Sequence, residues 1–372
     1  MSEEILENIS AENTEPDVSL EAPQEPNQPS LVPGFKSVCL RLGLTMIVVF
    51  ASRILCNVLS GVIYPWVEDL DTVPMYLLNL ALSVVFLYAI PMVAAMFILK
   101  RPIKNSGRNI YAKPKYFGRA MAIFPAGYGI AILVRLLTML LGSLFEGSTL
   151  GESFHVTEDA LVTTEMSSAL IIFFQTTVIA PILEELWYRG MVMESLRPYG
   201  NGFAIFISAI LFGMTHSNFE QFFYATALGI FLGYIAVSTQ SIVTTTIMHA
   251  LFNSISGCMI LLTADENVGN YLIALERGEE GVITFSVGLY FAWLALVMIL
   301  LVVGVIMAIY KFTKIKKYRV PKVQTEISAP RRWGIFLSRY TVIISVILAM
   351  DCFIWNFLSV ALYTGIANIF HL

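Results

Sequence analysis

The chain is read as an all-α, polytopic membrane protein of about nine transmembrane helices. Apolar residues make up 57% of its 372 positions and charged residues 13%, against roughly 45–50% and about 25% in soluble domains. Mean hydropathy is +0.73. From Lys36 onward, apolar runs near the ~20 residues that a helix needs to cross a bilayer alternate with short charged connections. The lipid bilayer is therefore an expected partner, and no nucleic-acid partner is expected. The net charge of -4 is divided among the loops and carries little information. Cys39, Cys56, Cys258 and Cys352 all lie in apolar runs without CxxC spacing, so they predict small packing residues, not a disulfide framework or a thiolate metal site.

The first 34 residues hold eight acidic residues, no Lys or Arg, and prolines at Pro16, Pro23, Pro26, Pro29 and Pro33. Such a segment cannot bury enough apolar surface to fold, and it lacks the basic start of a signal peptide. Residues 1–35 are thus expected to form a disordered, acidic, cytoplasmic tail. The spans then run Val38 to Tyr64, Met75 to Leu99, Ala120 to Phe145, Ser168 to Leu196, Phe203 to His216, Phe219 to Val237, Ile242 to Leu262, Thr284 to Tyr310 and Ile335 to Ile369. This divides the chain into a helical membrane domain over 36–310, a basic loop over 311–334 and an extra C-terminal span within 335–372.

Loop charge orients the spans. Lys100, Arg101, Lys104, Arg108, Lys113, Lys115 and Arg119 share one connection with no acid, and the stretch from Lys311 to Arg332 is similarly basic. Both are expected in the cytoplasm. The acidic connections around Asp71, Glu146 to Glu165 and Asp265 to Glu280 all fall outside in a nine-span arrangement. The N-terminus is then cytoplasmic and the C-terminus outside, in what is expected to be the plasma membrane.

Charge inside the spans is costly and needs a reason. Glu184, Glu185 and Arg189 interrupt the fourth span, His216 ends the fifth, and His249 and Asn253 lie in the seventh. Counting helix rise puts Glu184, Glu185 and His216 roughly 18–22 Å from the inner ends of their helices, and His249 and Asn253 roughly 13–20 Å. Three helices that are not all adjacent thus contribute polar groups to one layer. Glu185 and Arg189 are i and i+4, so they can hold each other's charge, while Glu184 projects about 100° away and is free for another task. A Glu beside two neutral imidazoles can activate water, directly as a general base or through a metal. Asn253 can donate to a developing oxyanion. The fifth span is too short to cross upright, which sets its turn at Ser217-Asn218 below the outer surface.

These motifs resemble those of the CPBP family: Glu-Glu-x-x-x-Arg-Gly at Glu184 to Gly190, Phe-x-x-x-His at Phe212 to His216 and His-x-x-x-Asn at His249 to Asn253. That family comprises the CAAX prenyl endopeptidases and ABI-type proteins linked to bacteriocin self-immunity. The resemblance covers a CPBP-type core at about 168–262 and implies an intramembrane endopeptidase whose site opens toward the cytoplasm. By that resemblance Glu184 activates water, Glu185 and Arg189 support it, His216 and His249 bind water or metal, and Asn253 stabilises the oxyanion. Where a divalent metal such as zinc is used, His216, His249 and Glu184 hold it. The implied substrate is a peptide or protein, prenylated or membrane-embedded. Trp187-Tyr188 departs from the Phe-rich pair common in the family.

Other polar residues carry plainer expectations. Arg53, Arg135 and Asp351 lie within spans, where an ion pair to Asp351 or snorkelling is expected; a substrate-carboxylate contact from Arg135 is the sharper alternative. Glu220 is read as a boundary charge, with orientation of His216 as its alternative. His155 and His371 are expected in solvent. Gly229 and Gly233 form a GxxxG that suits packing within the monomer. A non-enzymatic scaffold or immunity protein keeping these motifs is the rival function. A proton-coupled transporter ranks below it, for want of an internal inverted repeat.

Overall fold

The computed structural model describes residues 31–67, 70–100, 116–145, 165–314, 323, 325–355 and 362. Among these there is no strand. The helices are α1 (Leu31–Val67), α2 (Thr72–Leu99), α3 (Phe117–Ser143), α4 (Met166–Tyr199), α5 (Asn201–Met214), α6 (Phe219–Thr239), α7 (Ile242–Thr263), α8 (Glu266–Glu276), α9 (Phe285–Thr313), α10 (Ala329–Leu337) and α11 (Tyr340–Ile354). Seven are long and apolar enough to cross a membrane, and α10 with α11 makes an eighth if that bent pair is one span. The chain is an integral, multi-pass membrane protein.

The bundle has two chemically distinct ends. Lys100, Arg197 and Lys311 lie at one, called here the basic end; Asp71, Glu165 and Asp265 lie at the other, the acidic end. Thr72 Oγ1 donates to Glu165 Oε1 at 2.9 Å, which ties α2 and α4 together at the acidic end. At the basic end Phe35, Phe203, Trp333 and Phe336 pack through ring edges, and Arg332 donates to the carbonyl of Tyr199. That aromatic cluster fixes α10 beneath α1 and α5.

α5 rises from the basic end for only about 21 Å before the chain turns back as α6. Local chemistry fixes the turn. Ser217 has φ +57°, and the Asn218 side chain caps α6 by accepting from the Gln221 amide at 2.8 Å. Gly213 is required by contact: a Cβ there would sit 2.6 Å from the Phe222 carbonyl oxygen. Gly229 and Gly233 place α6 close against Ala209 and Ile205 of α5, so the GxxxG packs two helices of the same chain. The turn therefore lies at mid-depth.

Several boundaries differ from the sequence reading. α1 begins at Leu31, inside the segment assigned to the tail, since helix formation needs only local bonding once the prolines at 29 and 33 fall at or before its first turn. α4 runs on to Tyr199, beyond Leu196. The segment counted as a ninth span starting at Ile335 is bent by 66° between α10 and α11. α10 is amphipathic, carrying Arg331 and Arg332 beside Trp333 and Phe336, and it occupies part of the stretch read as loop. α8 was unforeseen; it is capped by Asp265, which accepts from the amides of Asn267 and Val268 at 3.0 and 3.3 Å. His155 and His371 lie outside the described residues, as do most of the acidic tail and of the two basic connections.

Candidate active site

α4 carries the carboxylates on a helix that is not uniform. It is π-helical over Gln175–Ile179 and Leu186–Met193, on either side of Glu184 and Glu185. Such wide turns re-aim side chains and leave carbonyls open to other donors, which is why they recur at functional sites. Here the Thr176 carbonyl accepts from Asn253 Nδ2 of α7 at 2.8 Å.

The two glutamates have separate surroundings. Glu185 is fully buried, with Oε1 2.8 Å from Arg189 Nη1 and 3.0 Å from His249 Nδ1. A carboxylate can only accept, so His249 Nδ1 carries the hydrogen, and in the neutral imidazole Nε2 then carries the lone pair. Arg189 also donates to the Gly229 carbonyl at 3.3 Å and lies over the Phe212 ring at 4.9 Å. A buried charge held by so many groups is a fixture.

Glu184 faces a cavity instead. Its Oε1 accepts from the Tyr88 hydroxyl of α2 at 2.9 Å, and its Oε2 lies 3.7 Å from His249 Nε2. That second distance exceeds a hydrogen bond between two groups that both accept, and it suits a water donating to each. His216 Nδ1 donates to the Phe212 carbonyl at 3.0 Å, which leaves its Nε2 lone pair for the cavity that His216 lines.

Two adjoining cavities of about 150 and 250 Å³ share Tyr88, Glu184, His216 and Gln221 as walls. The smaller is lined by Arg53 and Thr215, and Arg53 Nη1 donates to the Thr215 carbonyl at 2.7 Å. Tyr188 donates to Thr215 Oγ1 at 2.9 Å, so the aromatic pair Trp187-Tyr188 shapes this wall. The larger contains His249, Asn253 and Arg135.

The structure thus brings Glu184, His216, His249 and Asn253 to the wall of one cavity, with Glu185 and Arg189 packed behind His249. The in-span charges differ from expectation. Arg135 pairs with Glu220 at 2.6 Å, and Arg53 holds a backbone carbonyl. Glu220 accordingly holds Arg135 and is not a simple boundary charge. Tyr88, Thr176 and Thr215 escaped sequence reasoning, because one tyrosine or threonine in an apolar run has no spacing to mark it. Among the described residues, no group of three or more His, Cys, Asp or Glu side chains is arranged to hold a metal ion.

Fold and site define a helical membrane protein with a carboxylate–imidazole centre buried in the bilayer. Residues 166–255, which contain all three motifs, match the family model described as Type II CAAX prenyl endopeptidase Rce1-like. Over 98 residues, 26% of this chain, the sequence is 28% identical to a Bacillus subtilis (strain 168) protein named "Putative membrane peptidase YdiL". The matched stretch spans 38% of that relative's length. No solved structure matches. The CPBP resemblance read from the motifs is borne out over this core, which at the family level is similar to membrane proteases.

Proposed function

We propose that the protein is an intramembrane endopeptidase of the CAAX prenyl protease type, hydrolysing a peptide bond with water activated by Glu184. The observation that carries this is the 3.7 Å gap between Glu184 Oε2 and His249 Nε2, on separate helices, across a cavity. Tyr88 pins one carboxylate oxygen and leaves the other for water. Glu185, itself held by Arg189, fixes the tautomer in which His249 Nε2 accepts from that water, as the carboxylate does in a hydrolase triad. Glu184 takes the proton as the oxygen attacks the scissile carbonyl, then returns it to the leaving amine. Asn253 spends one N–H on Thr176 and has a second for the oxyanion.

The substrate is a peptide or protein segment; prenylated, bacteriocin-like and membrane-embedded ones are all compatible with a cavity of this size. The setting is the plasma membrane, with the basic end in the cytoplasm. A scaffold or immunity protein needs no shared cavity for Glu184, His216 and His249, and that separates the two functions. The test is cleavage of a candidate substrate in native membranes by Glu184→Ala and His249→Ala. Loss in both is expected, and full cleavage by both removes the proteolytic reading.

A further inference from the structure

Inside the spans, Glu185 pairs with Arg189 and Glu220 with Arg135, at 2.8 and 2.6 Å. Arg53 is different. It is partly buried, far from either end of α1, and among the described residues its guanidinium has no carboxylate partner. A cation within a membrane span is costly unless it is paired or faces a cavity. Arg53 faces one, lining the smaller cavity together with Glu184, Tyr88 and His216.

The side chain is held in place there. Its Nη1 donates to the carbonyl of Thr215, the residue before His216, and Thr215 Oγ1 accepts from Tyr188 and donates to the Phe212 carbonyl at 2.8 Å. The neighbouring Ser52 donates to the Phe86 carbonyl, which ties α1 to α2 close to Tyr88. One of the five N–H donors of Arg53 is thus engaged by backbone, and the planar fork formed by the others has the shape that takes a carboxylate.

We propose that Arg53 is a specificity-determining residue that binds a carboxylate of the substrate, within about two residues of the bond to be cleaved. This rests on the hydrolytic reading above. Size sets the spacing: a cavity of about 150 Å³ takes a group about as large as benzene, and Glu184 borders the same space. The carboxylate contact considered for Arg135 falls to Arg53, because Glu220 already engages Arg135. Arg53 also lies outside residues 166–255, so the three motifs do not carry this selectivity. Two sources supply such a group, the C-terminus of a chain or an Asp or Glu side chain beside the cleavage point.

Three membrane-soluble probes distinguish them: decanoyl-Leu-Val with a free C-terminus, decanoyl-Leu-Val-amide, and decanoyl-Leu-Asp-amide, whose one carboxylate is a side chain. Binding to the purified protein in detergent is read from the rise of its unfolding temperature with probe concentration, which needs no cleavage. Expected is about tenfold or tighter binding of one carboxylate probe relative to the neutral amide, lost in Arg53→Gln and weakened in Arg53→Lys, whose ammonium lacks the fork. Preference for the free C-terminus identifies a chain end, and preference for the aspartyl probe an acidic residue. Equal binding of all three probes, as for a cation that only offsets the charge of Glu184, overturns the proposal. Binding of none of them, or a preference that survives Arg53→Gln, does so too. Should Arg53→Gln not fold, an undiminished preference in Arg53→Lys is the contradicting result. Failure of the hydrolytic reading would leave the probe preference intact with no cleavage by the wild-type protein, whereas failure of this proposal would leave cleavage without the preference.

Discussion

Glu185 Oε1 lies 3.0 Å from His249 Nδ1, joining two residues that are 64 positions apart and on different helices. The contact converts a pair of adjacent glutamates into groups with different tasks. Glu185 is closed in behind the imidazole, and Glu184 stands in front of it.

Because the Glu185 carboxylate decides which nitrogen of His249 bears the hydrogen, Glu185→Gln preserves shape and loses that control. Cleavage should fall by about 10²-fold or more, by analogy with the loss when an orienting carboxylate becomes an amide. Substrate affinity should change little, since Glu185 has no exposed surface. Steady-state kinetics in detergent or nanodiscs separates kcat from KM.

Removing one member of a buried ion pair strands the other. Glu185→Ala and Arg189→Ala should each destabilise the protein by about 3–5 kcal/mol, whereas Glu185→Leu with Arg189→Met should recover much of that loss without recovering activity. Thermal unfolding of the purified protein in detergent reads the difference.

Tyr88→Phe removes only the donor to Glu184 Oε1. A loss of about 1 kcal/mol in transition-state stabilisation, or roughly five- to tenfold in kcat, is expected, with unfolding unchanged within about 1 kcal/mol. An unaltered kcat would mean that Glu184 is oriented by other contacts.

Gly213→Ala tests the mid-depth hairpin. Its Cβ would meet the Phe222 carbonyl oxygen at 2.6 Å, a backbone atom that cannot swing aside. α5 and α6 must separate there, at a cost of about 1–3 kcal/mol. His216, one turn further on, should be displaced as well, so activity and stability fall together.

How much of this was legible in the sequence depends on the distance over which each contact acts. The Glu185–Arg189 pair was readable because i and i+4 neighbours meet on any helix. The separate position of Glu184 followed from the same geometry. The layer shared by the α4, α5 and α7 motifs came from counting rise along apolar runs whose ends loop charge marked. The bond from Glu185 to His249 was not readable, since it depends on how α4 and α7 rotate about their axes when they pack. Tyr88 belonged to a span with no other polar signal, and Arg135 found Glu220 on α6 and not Asp351. α8 was missed because a short amphipathic helix in an acidic loop has neither span length nor strong apolar content. The bend between α10 and α11 at Ser338-Arg339 lay inside what read as one continuous apolar run from Ile335.

The central claim is that Glu184 and His249 act on one water. Cleavage by Glu184→Gln, His249→Gln and the double variant, each confirmed folded, tests it most directly, because groups that act as a unit are non-additive. The account predicts that each single variant loses about 10³-fold or more in kcat and that the double variant is no worse than either. Losses that multiply in the double variant, or wild-type cleavage by either single one, would contradict it.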